Sequence, residues 1–244
     1  MTVRELYDAL SESWDNDGLM CCPDPDRVVS RVLCTLDVTE AAVARALETG
    51  ADVILSHHPL VFAPLHALTV DEPLSARLIS LVRAGVSVFS FHTRFDRLAG
   101  GVNDVLARTL RLCDVSVLGE GEASLGRVGT LPCEMSVEAF AEHVKLALGA
   151  PGVQVWDSGR PVFRVALVGG EGKDFVFDAV AAGADTYLSG RIGYHRMQDA
   201  PINLIEAGHF YTERPAVLAL SALVKELLPT AQTEIYTPNP LAFY

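Results

Sequence analysis

A stretch near the start of the chain recurs 133 residues later, and this internal repeat constrains the fold more than any other feature. Gly50-Ala51-Asp52-x-x-Leu55-Ser56 returns as Gly183-Ala184-Asp185-x-x-Leu188-Ser189, and nine of the 26 aligned pairs between Arg31 and Ser56 are identical. Chance similarity is the alternative, since glycines end helices in many unrelated β-α-β units. The register holds over a whole unit, which favours duplication. We therefore expect two similar α/β halves related by a pseudo-two-fold axis.

Within the first copy, short apolar runs alternate with helical patterns. Predicted strands at 28–36, 52–56 and 86–91 are separated by predicted helices at 39–49 and 74–83. The continuous apolar character of 52–56 is typical of a strand that is buried on both faces. This alternation predicts Rossmann-like halves with mainly parallel or mixed sheets and flanking helices.

The second copy resumes the alternation after a different middle region. Residues 119–126 are rich in glycine and glutamate and are interpreted as a connector, so we divide the chain into halves at 1–118 and 119–244. Ser136 is a plausible N-cap and Gly149 lies just past the other end, which predicts a helix at 137–148. Further strands are predicted at 153–156, 162–168, 185–188, 202–205 and 234–236, and further helices at 175–181 and 213–228. The C-terminal segment either stays with the second half or packs back on the first.

Histidines gather at the ends of the predicted strands. Five of the seven follow a strand directly or lie in the loop after it: His57, His58, His92, His195 and His209. Open α/β sheets bind ligands outside the carboxyl ends of their strands. The pattern therefore predicts a site at these ends, with capping or surface histidines as the alternative interpretation of the pair His57-His58.

Two elements place an acid four residues after a histidine. His92-x-x-x-Asp96 and His209-x-x-x-Glu213 match at an offset of 117, so the second copy would be shorter there by 16 residues. Thr212 is expected to cap the next helix, which puts Glu213 in its first turn, where the helix dipole favours a carboxylate. Each acid alone has an ordinary structural interpretation. Together with His57-His58 they supply imidazole and carboxylate ligands suited to a pair of zinc, iron, manganese or similar ions.

The composition excludes several other classes of protein. The 244 residues carry a net charge of −12, which opposes broad electrostatic binding of nucleic acid. Charged residues interrupt any apolar signal-like segment at the N-terminus, and no apolar stretch approaches the roughly 18 residues that span a bilayer, so we expect a soluble cytoplasmic protein without membrane contact. The five cysteines are odd in number and form no C-x-x-C motif, so the sequence indicates neither a disulfide framework nor a thiolate zinc site.

Four motifs in order resemble one known family. They are Trp14-Asp15-Asn16-Asp17-Gly18-Leu19, Ser56-His57-His58-Pro59-Leu60, His92-Thr93-x-x-Asp96 with Gly100-Gly101-Val102-Asn103-Asp104, and Gly208-His209-x-x-Thr212-Glu213. The chain resembles the Nif-three-like family of dinuclear metal-centre hexamers, often labelled GTP cyclohydrolase I type 2 homologues. The resemblance covers nearly the whole chain and is to the short form, which lacks an extra central domain.

The resemblance implies a ligand set and an assembly. The family's five metal ligands match His57, His58, Asp96, His209 and Glu213. By analogy, His58 and Asp96 would serve one divalent ion, His57 and His209 would serve the other, and Glu213 would bridge the two. The family also implies a ring-shaped homohexamer, a trimer of dimers, whose sites face an internal cavity.

Other matching positions bear on catalysis and on what enters the cavity. His92 and His195 match histidines near the metals in the family and are expected to assist the ligands or to transfer protons, with a plain loop histidine as the alternative for His195. Arg94 stands where the family has Asn after His-Thr, and Arg191 stands where the family has an acid after Thr-Gly. These two positive charges would alter which anions enter while leaving the ligand set unchanged.

Two classes of function follow from these expectations. The first is a metal-dependent hydrolase for a small-molecule substrate that is nucleotide-like or a phosphoester, with GTP cyclohydrolase activity suggested only by the family label. The second is a non-catalytic metal-binding ring for storage, delivery, sensing or scaffolding. A metal-free nucleotide-binding α/β protein is disfavoured by the five-ligand set, and the turn at 169–173 lacks the residues of a phosphate-binding P-loop.

Overall fold

A computed structural model describes residues 1–10, 18–119, 124–198 and 200–242. The chain divides into two units, one formed by residues 1–95 and 217–241 and the other mainly by residues 96–216. The first division thus falls earlier than the expected one at residue 118. Residues 96–118 belong to the second unit because Cys113–Val117 is a strand that pairs with Arg127–Met135 there. The segment 217–241 belongs to the first unit.

The secondary structure elements alternate along both units. The strands are β1 (Gly18–Cys21), β2 (Arg31–Thr35), β3 (Val53–Ser56), β4 (Ser87–Ser90), β5 (Cys113–Val117), β6 (Arg127–Met135), β7 (Gln154–Trp156), β8 (Val162–Glu171), β9 (Thr186–Arg191), β10 (Asn203–Glu206) and β11 (Gln232–Ile235). The helices are α1 (Val3–Leu10), α2 (Glu40–Thr49), α3 (Pro73–Ala84), α4 (Thr93–Arg97), α5 (Val102–Thr109), α6 (Val137–Leu148), α7 (Val176–Ala181), α8 (Tyr194–Met197), α9 (His209–Glu213) and α10 (Val217–Leu227). Among the described residues, none of these helices combines the length and apolarity that crossing a membrane requires.

The first unit is built on a five-stranded sheet in the order β1-β4-β3-β2-β11. Strands β4, β3, β2 and β11 run parallel, and β1 pairs antiparallel with β4 at one edge. Helix α2 begins where the Thr39 side chain accepts a hydrogen bond from the Ala42 amide and ends at Gly50, which has a φ of +66°. Its residue Ala46 packs with Leu81 of α3 on Leu33 and Ile54 of the sheet. The expected edge strand near the C-terminus is β11.

The second unit is built on a six-stranded sheet in the order β5-β6-β8-β9-β10-β7. Strands β8, β9 and β10 are parallel, whereas β6, β5 and β7 are added antiparallel. Successive residues of β8 pack into different cores, Leu167 with Phe140 of α6 and Val168 with Ala179 of α7. Both faces of this sheet are therefore covered, as the continuous apolar runs of its strands require.

The duplication is confirmed by the strand register inside each unit. Val32 pairs with Val53 in the first sheet, and Val165 pairs with Thr186 in the second, with the offset of 133 preserved on both strands. A carboxylate occupies the same position in each copy. Asp52 accepts hydrogen bonds from the amides of Ser30 and Arg31, and Asp185 accepts them from the amides of Phe163 and Arg164. The burial of Asp52 would raise its pKa, but hydrogen bonds from Ser30, Arg31 and Arg27 outweigh burial and lower it.

The two copies were expected to match at an offset of 117 residues after their second strands, and this offset is wrong by one residue. Ser56 pairs with Ser90 and Ser189 pairs with Glu206, so the third strands of the two copies match at an offset of 116. Helices α4 and α9 start at that same offset, at Thr93 and His209. His92 therefore corresponds in position to Gly208, and the two histidine-acid elements are offset by one residue around otherwise matching structure.

Candidate metal centre

The first unit places His57 at the carboxyl end of β3, where it is fully buried. Its Nδ1 lies 2.8 Å from the carbonyl oxygen of Phe91. Because a carbonyl oxygen can only accept, Nδ1 carries a proton, and in the neutral ring Nε2 then carries the lone pair. A histidine ligates a metal through such a lone pair, and the partner of the other nitrogen fixes the tautomer.

His58 is fixed in the same tautomer by a residue that the sequence analysis missed. Its Nδ1 lies 2.7 Å from Oδ1 of Asp37, a carboxylate that follows β2. The carboxylate accepts the Nδ1 proton, so in the neutral ring the lone pair of His58 is again on Nε2. The signal for Asp37 was available, because Asp37 follows a predicted strand just as the site histidines do.

His92 completes a group of three imidazoles in this unit. Ligand nitrogens of His57, His58 and His92 all lie within 4.8 Å of one another. The ring of His92 lies 5.4 Å from that of His57 and 5.7 Å from that of His58, measured between centroids. Its Nδ1 contacts the hydroxyl of Thr93 at 3.3 Å. A hydroxyl both donates and accepts, so this contact leaves the tautomer of His92 open.

The second unit presents its ligating groups on and beside α9. The helix begins after Gly208, which has a φ of +84°, and the Thr212 amide donates to the Gly208 carbonyl. The expectation that Thr212 caps a helix with Glu213 in the first turn is wrong, because Glu213 is the last residue of α9. The Thr212 hydroxyl instead accepts a hydrogen bond from the Gly170 amide and donates one to the His209 carbonyl. These bonds hold α9 against the end of β8.

His209 and Glu213 are one helical turn apart and face each other. Nε2 of His209 lies 2.9 Å from Oε2 of Glu213. Glu213 is only 4% exposed, and one of its carboxylate oxygens lies within 4.8 Å of an oxygen of Asp96, which is 8% exposed. Two buried carboxylates this close repel each other when both are ionised, and a bound cation removes that cost.

The segment that carries Asp96 is positioned by Asn103. The sequence analysis placed Asn103 in a family motif but assigned it no role. The Asn103 side-chain amide donates to the Asp96 carbonyl at 3.1 Å, while its oxygen accepts from the Gly169 amide at 2.8 Å. Asn103 is fully buried. It thereby ties the Asp96 segment to the end of β8, next to the residues that hold α9.

Glycine makes room for the carboxylate of Glu213. A Cβ added at Gly170 would lie 2.1 Å from Oε1 of Glu213 and 3.2 Å from Nε2 of His209. A Cβ at Gly190 would lie 2.6 Å from the Thr212 hydroxyl and 2.7 Å from the Cα of His209. The backbone at both strand ends therefore forms a close-fitting cradle for α9 and its two ligating side chains.

The donor sets fit divalent metal ions. The first unit offers buried or half-buried imidazoles with two tautomers fixed for ligation, and the second offers one imidazole and two buried carboxylates. Mixed imidazole and carboxylate donors suit zinc, iron, manganese and similar ions. The structure thus supports the sequence prediction of divalent metal binding at the level of these residue groups.

Other residues singled out from the sequence lie elsewhere or outside the described ranges. His195 is exposed on the short helix α8 and belongs to none of the close groups of potential ligands found among the described residues. Arg94 is buried with its guanidinium over the Phe91 ring, whereas Arg191 is exposed at the end of β9. Residues 14–17 of the first motif lie outside the described residues.

The sequence profile of Duf34/NIF3 (NGG1p interacting factor 3) matches residues 3–240 of the chain. The chain belongs to the NIF3 family. This confirms the resemblance indicated by the four motifs.

Individual relatives in the NIF3 family match over most of the chain. A GTP cyclohydrolase 1 type 2 homolog from Clostridium perfringens is 36% identical over 228 residues, which cover 90% of this chain and 86% of the relative. Protein NIF3 homolog from Schizosaccharomyces pombe is 31% identical and covers 87% of this chain and 82% of the relative. The crystal structure of Staphylococcus aureus hypothetical protein SA1388 matches with a TM-score of 0.90 at 25% identity, covering 100% of this chain and 99% of that one.

Substituting Gly170 by Ala should damage the cradle in the second unit. The added Cβ would displace the Glu213 carboxylate, and the φ of +67° would add about 1–2 kcal/mol of backbone strain. We expect reduced uptake of zinc or manganese, measured by plasma mass spectrometry on dialysed protein. The matched control is Gly183→Ala, because Gly183 has a φ of +72° but open space around its Cβ position. Equal metal uptake by the two variants would contradict the cradle.

Proposed function

We propose that the chain holds two divalent metal ions and acts as a metal-dependent hydrolase on a nucleotide-like or phosphoester substrate. The observation that supports this most is the pair of histidines with fixed tautomers, each holding Nδ1–H toward an acceptor and presenting the Nε2 lone pair. Structural histidines need no such common orientation. The buried carboxylates of the second unit supply the negative charge that divalent ions require.

The proposed ligands are the five residues implied by the family resemblance. His58 and Asp96 would hold one ion, His57 and His209 the other, and Glu213 would bridge them. What supports Glu213 as the bridge is that its side chain approaches both His209 and Asp96, one proposed ligand from each pair.

The histidines around the proposed centre would have two different roles in hydrolysis, metal binding and proton transfer. When bound, two divalent ions acidify water and polarise the carbon or phosphorus centre of a substrate. His57 and His58 keep their Nδ1 protons on acceptor-only partners, so they are unsuited to carrying protons. His92 contacts a hydroxyl that accommodates either tautomer, and we assign it the transfer of a proton at a ring nitrogen. His195 stays a proposed second proton carrier on the family resemblance alone.

Metal analysis of protein purified without chelators should find about two divalent ions per chain. Glu213→Gln should weaken both ions together, because a bridging carboxylate contacts both. His58→Ala should release one ion more than the other. His66→Ala, a change to an exposed histidine, serves as the control and should leave the content unchanged.

The opposite results are equally clear. A metal content near zero that does not rise on adding zinc or manganese would refute the centre. Equal loss of both ions in His58→Ala would contradict the assigned pairs, even if the total content of the wild-type protein is as expected.

A screen of metal-loaded protein against nucleotides and phosphoesters, GTP included, tests catalysis. Hydrolysis should appear for at least one compound, and Glu213→Gln should lower the rate by about 100-fold or more, since it removes a group shared by both ions. The exposed variant Glu226→Gln is the control. Tight metal binding with no turnover of any compound would instead favour a ring for metal storage, delivery, sensing or scaffolding.

The proposed assembly is the homohexamer that the family resemblance implies. Multi-angle light scattering of metal-loaded protein should give about six times the chain mass of 26.2 kDa, as expected for closed symmetric oligomers. A monomer at micromolar concentration would refute the ring without affecting the metal content per chain.

A further inference from the structure

We infer that Asp37 is a positioning residue that makes the two metal positions unequal, so that the position held by His58 fills first. This inference rests on the proposed function for the existence of two positions. It concerns a side chain that neither the motifs nor the family's ligand set includes.

Asp37 is held firmly at the end of the first parallel strand. The Thr35 hydroxyl donates to the Asp37 carbonyl at 3.0 Å, and the His58 amide donates to the Leu36 carbonyl at 2.9 Å. The neighbouring strand ends are also in register, with Thr35 opposite Ser56. The backbone thus brings the Asp37 carboxylate beside the His58 ring without depending on a long flexible side chain.

The two fixed histidines differ in the charge of their partners. His57 donates to a neutral carbonyl oxygen at 2.8 Å, whereas His58 donates to a carboxylate oxygen at 2.7 Å. A hydrogen bond to an ionised acceptor is roughly twice as strong as one between neutral groups. It also raises the basicity of the opposite ring nitrogen, which strengthens that nitrogen as a ligand. Nε2 of His58 is therefore the stronger donor of the pair.

The duplication shows that this carboxylate belongs to the first copy alone. At the offset of 133, Asp37 corresponds to Gly170 and His58 corresponds to Arg191. Gly170 has no side chain and forms part of the cradle around Glu213. His209, the proposed ligating imidazole of the second unit, has a carboxylate partner through Nε2. The position that matches Asp37 in the second copy thus carries no side chain that could support a histidine in this way.

Calorimetric titration of metal-free protein with zinc tests the inequality. The wild-type protein should bind in two resolved steps. Asp37→Asn keeps a carbonyl oxygen that accepts the His58 proton but removes the charge, and it should weaken the tighter step by about 10-fold. Asp37→Ala removes the acceptor as well and should weaken it by up to about 100-fold. Asp26→Asn, an exposed change in the same unit, should alter neither step.

A double-mutant cycle separates positioning from general damage to the fold. Asp37→Asn should have no further effect on zinc affinity in a His58→Ala background but should keep its full effect in a His57→Ala background. An effect of the same size in both backgrounds would overturn the inference. The inference would also be overturned if the tighter step had the same zinc affinity in Asp37→Ala as in Asp26→Asn.

The tautomer of His58 gives a readout that does not depend on metal. Nitrogen-15 correlation spectra of metal-free protein should show His58 protonated at Nδ1 in the wild type and in Asp37→Asn, and a mixture of tautomers in Asp37→Ala. An unchanged tautomer in Asp37→Ala overturns the positioning role. If no zinc binds to the wild type, the proposed function fails, whereas the tautomer shift still reports on Asp37 itself.

Discussion

Each unit depends on a carboxylate of its own, which precedes the second parallel strand and accepts hydrogen bonds from amides at the start of the first. Asp52 does this by accepting the amides of Ser30 and Arg31, and Asp185 accepts the amides at the matching positions of the other copy. Such bonds to a charged acceptor are worth about 1.5–3 kcal/mol each. They set β2 against β3 and β8 against β9 in a single register. A slip by one residue would turn every side chain to the opposite face of the sheet, so the groups at the strand ends would be lost together.

The duplicated halves use their matching strand ends in opposite ways. In the first copy these ends carry Asp37, His57 and His58. In the second copy the matching positions are Gly170, Gly190 and Arg191. The small glycines let α9 pack directly on β8 and β9, and so the candidate ligands His209 and Glu213 lie on that helix. One topology therefore places candidate imidazole ligands after a strand in one unit and candidate ligands on a helix in the other.

Local rules were enough for some of these features and insufficient for others. Ser136 and Gly149 predicted α6 to the residue, since capping depends on a few neighbouring atoms. Strand β5 was not predicted, because it is exposed along its length and exists only through pairing with β6. The candidate ligands were found from their place after strands, but Glu213 was assigned to the wrong end of a helix. The positive φ of Gly208 starts a separate short helix, α9, and the helix predicted at 213–228 begins only at Val217 as α10. A single sequence does not specify such a turn.

The hydrogen-bond partners of the three clustered histidines are what favours the proposed division between ligands and a proton carrier, because residue type alone does not separate them. A partner that can only accept commits a ring nitrogen to carrying a proton, and that commitment leaves the opposite nitrogen as a ligand. The Phe91 carbonyl and the Asp37 carboxylate impose this on His57 and His58. The Thr93 hydroxyl imposes nothing of the kind on His92, because it can reverse its own role when the ring gains or loses a proton. If the proposed roles are right, exchanging these partners should exchange them, even with all three histidines in place.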